Sequence, residues 1–358
     1  MKNENRMNMK KILTCLLSIL GLTTACGQAN YENADVKGFA ELMNDPNVVV
    51  LDVRTAEEFK DGHLEGALNI DQAQSDFIDQ AKETLTTDKT IAVYCRSGRR
   101  SASAAERLAA EGYKAVNLKG GILAWKEAQM PVTTDTYEVD VFKTKSGKTV
   151  KFHALVHASI RIEYDGKEIE IDPVTKLGNK TIDLGAMPKA DYIFLTHEHG
   201  DHFDKEALKQ LTGDKTLLIA NKRCAEMLGY GQIMINGQSS MFNNIKVEAV
   251  PAYNISEGRT QFHPKGRDNG NILTIDGLRI YIAGDTEDIP EMQNIKDIDI
   301  AFMPCNQPYT MTTEQLVKAA KTVKPKVLFP YHYGQTDVKG VPSQLKDSGI
   351  DVRIRHYE

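Results

Sequence analysis

The chain is poor in cysteine, in excess positive charge and in long apolar runs, and each shortage excludes a class of protein. Five cysteines in 358 residues are too few for a disulfide scaffold. A formal net charge of -5 provides no overall basic surface for a phosphate backbone, so nucleic acid is not an expected partner. The 26 glycines and 12 prolines are spread along the chain, as in globular proteins. At roughly 150 residues per domain, the length predicts two folded domains.

The longest apolar run near the N-terminus covers residues 12–22, after several lysines and an arginine. It is shorter than the roughly 20 residues that span a bilayer as a helix, so it predicts a secretory signal over residues 1–26. Residues 22–26 resemble a lipoprotein signal, in which the cysteine is acylated and becomes the mature N-terminus. The resemblance implies an exported protein, anchored to a membrane by lipid on Cys26 and facing the periplasm or the cell exterior. A plain signal peptide cut near Ala25 is the alternative.

Short apolar runs alternate with helical patterns over residues 36–130. Residues 48–51 and 90–94 read as buried strands, and residues 101–110 as an alanine-rich helix, which predicts an α/β domain with a mostly parallel sheet. Cys95 lies between the second strand and the helix, where backbone N–H groups would stabilise a negatively charged sulfur. Arg96, Arg99 and Arg100 add positive charge to this loop, which suits a small anion. Arg96 and Arg100 join Cys95 as candidate catalytic residues.

Three segments of this region resemble the motifs of the rhodanese family, in the family's order. They are residues 51–70, the loop that begins at Cys95, and residues 120–125. The resemblance implies a rhodanese-like domain over residues 27–133. It also implies that Cys95 takes a sulfane sulfur as a persulfide, from thiosulfate or a polysulfide, and passes it to a thiol or another thiophilic acceptor.

Phosphatases of the same fold are the main alternative for the Cys95 loop. Their signature places an arginine six positions after the cysteine, where this chain has Ser101. The shorter loop therefore favours sulfur over phosphate. Upstream, Asp52 is expected to fix loops through hydrogen bonds, and Arg54 is a candidate for a role near the persulfide.

The second region, residues 134–358, opens with strongly alternating strands. Residues 160–164 and 167–171 are joined by an Asp-Gly turn and predict a β-hairpin within mixed sheets. Residues 192–195 form an apolar strand that runs into a cluster of imidazoles and a carboxylate, which are ligands that zinc and similar divalent metals prefer. The cluster consists of His197, His199, Asp201 and His202.

Two later strands end in the same kind of residue. Residues 279–283 run towards Asp285, and residues 327–331 run into His332. Functional groups collect at the C-terminal ends of strands in layered α/β proteins. Asp285 and His332 therefore join the candidate metal ligands.

This pattern resembles the metallo-β-lactamase fold, an αββα sandwich with a metal centre at one edge of its two sheets. Within it, residues 157–159, 171–173 and 283–286 are similar to ascorbate-6-phosphate lactonase and related hydrolases. The resemblance implies two divalent metal ions, zinc first, with iron or manganese as alternatives. One ion would be held by His197 and His199, the second by Asp201, His202 and His332, and both by Asp285, with Asp172 as a structural carboxylate.

The family pattern places one more histidine ligand between the cluster and Asp285. His263 is the candidate, although Tyr253 and Asn254 stand where some relatives place this histidine. For His157 two interpretations stay open. The resemblance implies a residue near the metal edge that supports the ligands or contacts the substrate, and the alternative is a packed strand residue. Cys224 and Cys305 are expected to be buried thiols rather than a disulfide.

Two cations a few ångströms apart would lower the pKa of a bridging water, generate hydroxide near neutral pH and polarise the bond that it attacks. The expected reaction is hydrolysis of an ester, lactone, amide or phosphoester in a small molecule, with Asp201 as a candidate for catalysis as well as metal binding. An anionic substrate is suggested by three cations in one loop: Arg259, Lys265 and Arg267.

Two alternatives to a sulfurtransferase fused to a di-metal hydrolase stay open. Rhodanese domains also occur fused to persulfide dioxygenases, which share the second fold but hold a single iron. The reversed domain order and the segment Gly284-Asp285-Thr286 count against that alternative. The other alternative is a non-catalytic sulfur-binding lipoprotein.

Overall fold

The computed structural model describes residues 31–134, 137–178 and 180–357. The predicted signal segment and Cys26 lie outside the described residues. Within the described ranges, no helix combines the length and the apolar character needed to cross a membrane. The described chain forms two α/β domains, in the order expected from the sequence.

The first domain alternates strands and helices around one parallel sheet. Its elements are β1 (Glu32–Ala34), α1 (Val36–Leu42), β2 (Val48–Asp52), α2 (Ala56–Lys60), β3 (Leu68–Asn69), α3 (Phe77–Thr84), β4 (Thr90–Tyr94), α4 (Arg99–Ala110), β5 (Lys114–Leu118) and α5 (Gly121–Glu127). The strand order is β1-β5-β4-β2-β3, and every neighbouring pair is parallel. Residues of α3 and α4 pack on one face of the sheet, and residues of α1 and α5 on the other.

A close approach of backbone brings the start of α5 against the Cys95 loop. Gly121 has φ +58, and a Cβ at this position would collide with the carbonyl oxygen of Cys95. Only glycine accepts both the left-handed conformation and this contact. The next residue closes the arrangement, because Ile122 N donates to Cys95 O at 2.8 Å.

The second domain has sixteen described strands and four α-helices. They are β6 (Glu138–Lys143), β7 (Thr149–Val156), β8 (Ser159–Tyr164), β9 (Lys167–Ile171), β10 (Lys176–Leu177), β11 (Lys180–Thr181), β12 (Tyr192–Leu195), α6 (Lys205–Leu211), β13 (Leu217–Ala220), α7 (Lys222–Leu228), β14 (Gln232–Ile233), β15 (Ser239–Phe242), β16 (Ile245–Ala252), β17 (Asp268–Ile275), β18 (Leu278–Ile282), β19 (Ile300–Pro304), α8 (Thr313–Val323), β20 (Val327–Tyr331), α9 (Val341–Leu345) and β21 (Asp351–Val352). Short 3-10 helices cover Leu184–Ala186 and Pro290–Asn294.

Two seven-stranded sheets face each other in this domain. Their strand orders are β14-β13-β12-β9-β8-β7-β6 and β15-β16-β17-β18-β19-β20-β21. In each sheet one part is parallel and the other antiparallel, in agreement with the mixed sheets predicted from the hairpin of residues 160–171. The inner faces share one apolar core, while α6 and α7 cover one outer face and α8 and α9 the other. The predicted αββα sandwich is confirmed.

The two cysteines of this domain lie in separate outer layers. Cys224 packs with the helices over the first sheet, and Cys305 packs with those over the second. Both are buried free thiols. Burial raises the pKa of the Cys305 thiol to about 12, which keeps it protonated and unreactive at neutral pH.

A buried charge cluster ties the end of the chain to β6. Asp140 accepts hydrogen bonds from Arg353 at 2.8 Å and from Arg355 at 2.7 Å. We expect Asp140→Asn to lower the free energy of unfolding of this domain by about 3 kcal/mol, because Arg355 loses its buried counter-charge and Arg353 keeps only the half-exposed Asp351 as a partner. Urea unfolding measures the change. The matched variant Asp165→Asn, in an ion pair whose side chains are about half exposed, should leave stability unchanged. Equal losses in both variants would contradict the prediction.

Candidate metal centre

Histidine and aspartate side chains gather at one edge of the two sheets, in the loops that follow five different strands. Every ligand predicted from the sequence comes to this edge, together with His157, whose role the sequence left open. The residues are His157 after β7, His197, His199, Asp201 and His202 after β12, His263 after β16, Asp285 after β18 and His332 after β20.

The loop after β12 is held in place by a buried carboxylate. Asp172 accepts hydrogen bonds from Thr196 N at 2.8 Å and from Thr196 Oγ1 at 2.6 Å. Its Oδ2 also lies 2.8 Å from His202 Nδ1. These contacts leave the other ring nitrogen of His202 to face the cluster. Asp172 thus orients the loop and one of its histidines, which is the structural role that the resemblance implied.

The cluster divides into two groups of possible ligands. His197, His199, His263 and Asp285 form the first group, and His157, Asp201, His202 and His332 form the second. Within each group, one ligand atom per residue lies within 4.8 Å of the others. Distances of this size allow each group to surround a single ion.

Asp285 contacts both groups. Its Oδ2 lies 3.3 Å from His263 Nε2 and 3.2 Å from His332 Nε2. Its Oδ1 lies 3.3 Å from His202 Nε2. The carboxylate is therefore placed between a histidine of the first group and two histidines of the second.

His263 is oriented by a second carboxylate. Its Nδ1 lies 3.1 Å from Asp268 Oδ2, and its backbone oxygen accepts a hydrogen bond from Asn254 N at 2.8 Å. Metal-binding histidines commonly donate a hydrogen bond from their second ring nitrogen to a carboxylate. The structure therefore brings His263 to the first group, whereas Asn254 uses its side chain to bind the backbone oxygen of Tyr309 at 2.7 Å.

Buried polar atoms without a hydrogen bond mark the inside of the cluster. They are His197 Nε2, His202 Nε2, His332 Nε2 and Asp285 Oδ1, none of which has a hydrogen bond of good geometry within the described part of the chain. Leaving such atoms unsatisfied is costly. A cation bound in each group would satisfy these atoms, so the donor set fits divalent metal ions.

The protonation states of His197 and Asp285 suit a metal as well. Burial holds the pKa of His197 well below its usual value, which keeps its imidazole neutral. Burial alone would raise the pKa of Asp285, but the facing histidines His332 and His202 hold it well below its usual value. Neutral imidazole and ionised carboxylate are the forms that bind a metal ion.

A third group of possible ligands, which the sequence did not indicate, lies where β7 meets the first domain. It contains Glu65, His153 and Glu163. Lys151 forms an ion pair with Glu65, and Arg161 pairs with Glu163 at 2.9 Å. These cations already balance the carboxylates, so the group is a charge network and not a metal site.

The three cations proposed to favour an anionic substrate are all engaged with carboxylates. Lys265 pairs with Glu291 at 2.8 Å, and Arg267 pairs with Asp268 at 2.7 Å. Arg259 lies 3.3 Å from the buried Glu287. These ion pairs reduce the positive charge that the loop offers to an anionic substrate.

In the first domain, Cys95 is fully buried at the end of β4. Its Sγ lies 3.3 Å from Ser101 Oγ, which also lies 2.6 Å from Asn117 Oδ1. Arg96 and Arg99 are exposed. A hydroxyl of α4 therefore contacts the sulfur directly, at the position where the phosphatase signature would need an arginine.

Arg100 makes a contact that the local sequence does not reveal. Its two terminal nitrogens donate to the Glu58 carboxylate at 2.7 and 2.6 Å. This pairing holds the pKa of Glu58 at about 2. The sequence analysis expected Arg100 to attract a small anion. Its guanidinium instead binds a carboxylate of the chain itself, 42 residues away.

Arg54 and Asp52 are bound to each other. Arg54 Nη2 donates to Asp52 Oδ2 at 2.6 Å and to the backbone oxygen of Gly62 at 2.8 Å. Asp52 also accepts from Arg54 N at 3.0 Å. Asp52 therefore fixes the loop, as expected. Arg54 connects this loop to Gly62, within the motif of residues 51–70.

Comparisons with known proteins agree with this architecture. Residues 35–128 match the Rhodanese-like domain family, and residues 151–332 match the Beta-lactamase superfamily domain. A UPF0173 metal-dependent hydrolase of Geobacillus thermodenitrificans is 34% identical over 195 residues, which cover 51% of this chain and 84% of the relative. Another UPF0173 metal-dependent hydrolase, from Archaeoglobus fulgidus, is 30% identical over 221 residues, which cover 57% of this chain and 94% of the relative.

One crystal structure resembles the second domain closely. It is the structure of a protein from Parabacteroides distasonis that is described as a metal-dependent hydrolase. The two proteins are 51% identical with a TM-score of 0.60, and the match covers 62% of this chain and 100% of that one.

Proposed function

Since this chain belongs to the beta-lactamase superfamily, carries a rhodanese-like domain before that fold and is a metal-dependent hydrolase, we propose that its hydrolytic centre binds two divalent metal ions, zinc first. The observation that carries the proposal is the position of Asp285 between the two groups of ligands. A carboxylate that faces both groups is suited to bridge two ions.

Each of the two proposed ions would have its own set of ligands. His197, His199 and His263 would hold the first ion, Asp201, His202 and His332 the second, and Asp285 both. The bound ions would supply Lewis-acid chemistry, by activating a water and polarising the scissile bond.

The chain itself supplies a carboxylate that faces solvent. About a third of the Asp201 side chain is exposed, whereas His202 and His332 beside it are buried. We therefore assign to the Asp201 carboxylate the contact with solvent and a hydrogen bond from the attacking water. The substrate class is a small molecule with an ester, lactone, amide or phosphoester bond.

Elemental analysis of the purified protein tests this proposal. We expect two zinc-like ions per chain in the unmodified protein and one in each of the variants His202→Ala and His332→Ala, because each removes a ligand of the second ion alone. The control His356→Ala changes an imidazole that is 89% exposed and should keep both ions. A single iron per chain that survives the loss of His202 would contradict the proposal and would favour the persulfide dioxygenase.

We also propose that the first domain is a sulfurtransferase. The support comes from Cys95 at the strand-to-helix loop, from Ser101 at 3.3 Å from its sulfur and from Gly121 closing the loop. The Cys95 thiolate would attack the outer sulfur of thiosulfate, which breaks the S–S bond and releases sulfite. A thiol or cyanide would then accept that sulfur and return the thiolate.

Export and acylation of Cys26 are a further part of the proposal. Their support is the sequence of residues 12–26 alone. With a lipid at this position, both active sites would work outside the cytoplasm, at a membrane surface.

A further inference from the structure

The turn between β7 and β8 is unusual for a hairpin. His157 lies in the turn with φ +55, a conformation that favours glycine or asparagine, and yet its side chain is buried. Two backbone hydrogen bonds hold it there: His157 N donates to Tyr357 O at 3.0 Å, and His332 N donates to His157 O at 3.1 Å. Local strain of this kind persists only where the surroundings fix it, and it concentrates at functional sites.

The imidazole of His157 contacts two ligands of the second group. Its Nε2 lies 3.2 Å from Asp201 Oδ2. Its ring centroid lies 3.6 Å from that of His332, with the planes tilted by 41°. Because an ionised carboxylate only accepts hydrogen bonds, Nε2 is the donor in the contact with Asp201.

The spacing of the rings separates a supporting residue from a metal ligand. Ring centroids of the other histidines that share a group lie 4.7–5.0 Å apart: His197–His199, His197–His263, His199–His263 and His202–His332. His157 departs in both directions, with 3.6 Å to His332 and 6.2 Å to His202. Rings that direct a nitrogen at one ion diverge from it, whereas the ring of His157 packs closely against that of His332 at a tilt of 41°.

We propose that His157 is a positioning residue for the second metal ion, an inference that rests on the proposed two-ion centre. It donates a hydrogen bond to Asp201, packs against His332 and does not itself bind the ion. One hairpin turn thereby fixes two of the three ligands that belong to the second ion alone. Partners of this kind set the orientation of metal ligands, and their loss costs roughly 10–100-fold in metal affinity.

Zinc titration against a competing chelator tests the inference. We expect His157→Ala to weaken the second zinc about 10–100-fold and to leave the first unchanged. His157→Gln should restore most of the affinity, because its amide N–H can still donate to Asp201. In cobalt-loaded protein, His157→Gln should keep the absorption bands of the parent, since no nitrogen ligand is lost.

His153→Gln is the matched control, because it removes a buried imidazole of β7 that lies outside the two ligand groups of the metal centre. It should leave both zinc affinities unchanged. Thermal unfolding of the metal-free variants shows that each is folded.

Three results would overturn the inference. Unchanged zinc affinity in His157→Ala would make the residue merely structural. Failed rescue by His157→Gln together with altered cobalt bands would make it a ligand. A parent protein that binds only one ion would remove the two-ion centre itself, and that failure is visible before any variant is compared.

Discussion

Exchange of Asp285 for asparagine is expected to abolish hydrolysis and to lower the content of both metal ions. The asparagine would keep the size of the side chain but lose the charge that faces His263 on one side and His202 and His332 on the other. Loss of an outer partner of a metal ligand costs roughly 10–100-fold, so loss of a shared ligand should exceed that range. Metal content is measured by elemental analysis. Activity is measured with 4-nitrophenyl acetate and bis(4-nitrophenyl) phosphate as probes.

The matched control is Asp276→Asn, which changes a carboxylate in the turn between β17 and β18. Asp276 accepts hydrogen bonds from Thr144 and Ser146 and belongs to neither ligand group. It should retain both ions and full activity. An Asp285→Asn protein that still holds two ions would show that this carboxylate does not bridge them, and a loss of only one ion would assign Asp285 to a single group.

Much of the fold was predictable because the decisive signals are local. The hairpin of β8 and β9 follows from an alternating pattern around Asp165 and Gly166, which adopt φ 52° and 72° as a tight hairpin turn requires. The strands that lead to His197, Asp285 and His332 were visible as apolar runs ending in polar residues. Their convergence follows from the general rule that groups collect at strand ends in α/β proteins. Each of these inferences needed only neighbouring residues.

The remaining features depend on residues that are distant in the sequence. Glu58 binds Arg100 across the fold, and no local pattern shows that an arginine in an anion-binding loop already has a carboxylate partner. The pairing of Arg259 with Glu287 is hidden for the same reason. Local charge patterns thus report which side chains are charged, but tertiary contacts decide which charges are available to a ligand.

His157 shows the same limit at the metal centre. The sequence allowed two roles because a histidine before a strand is common, and only the packing of the β7–β8 turn against the end of β20 selects between them. Once the turn is known, the sequence itself carries one sign of its strain. The residues His157-Ala158 occupy a tight turn without glycine, asparagine or aspartate, which are the residues that such turns usually need.

Exchange of Cys95 for serine is expected to abolish the formation of thiocyanate from thiosulfate and cyanide, while both metal ions remain bound. A serine hydroxyl is a poor nucleophile at neutral pH and cannot form a persulfide, so the loss should reach the detection limit. Cys305→Ala is the control, because that thiol is buried in the second domain with a pKa of about 12. It should keep the parent rate. Thiocyanate formation retained in Cys95→Ser would exclude Cys95 as the sulfur carrier, and a simultaneous loss of metal would reveal a dependence of the second domain on the first.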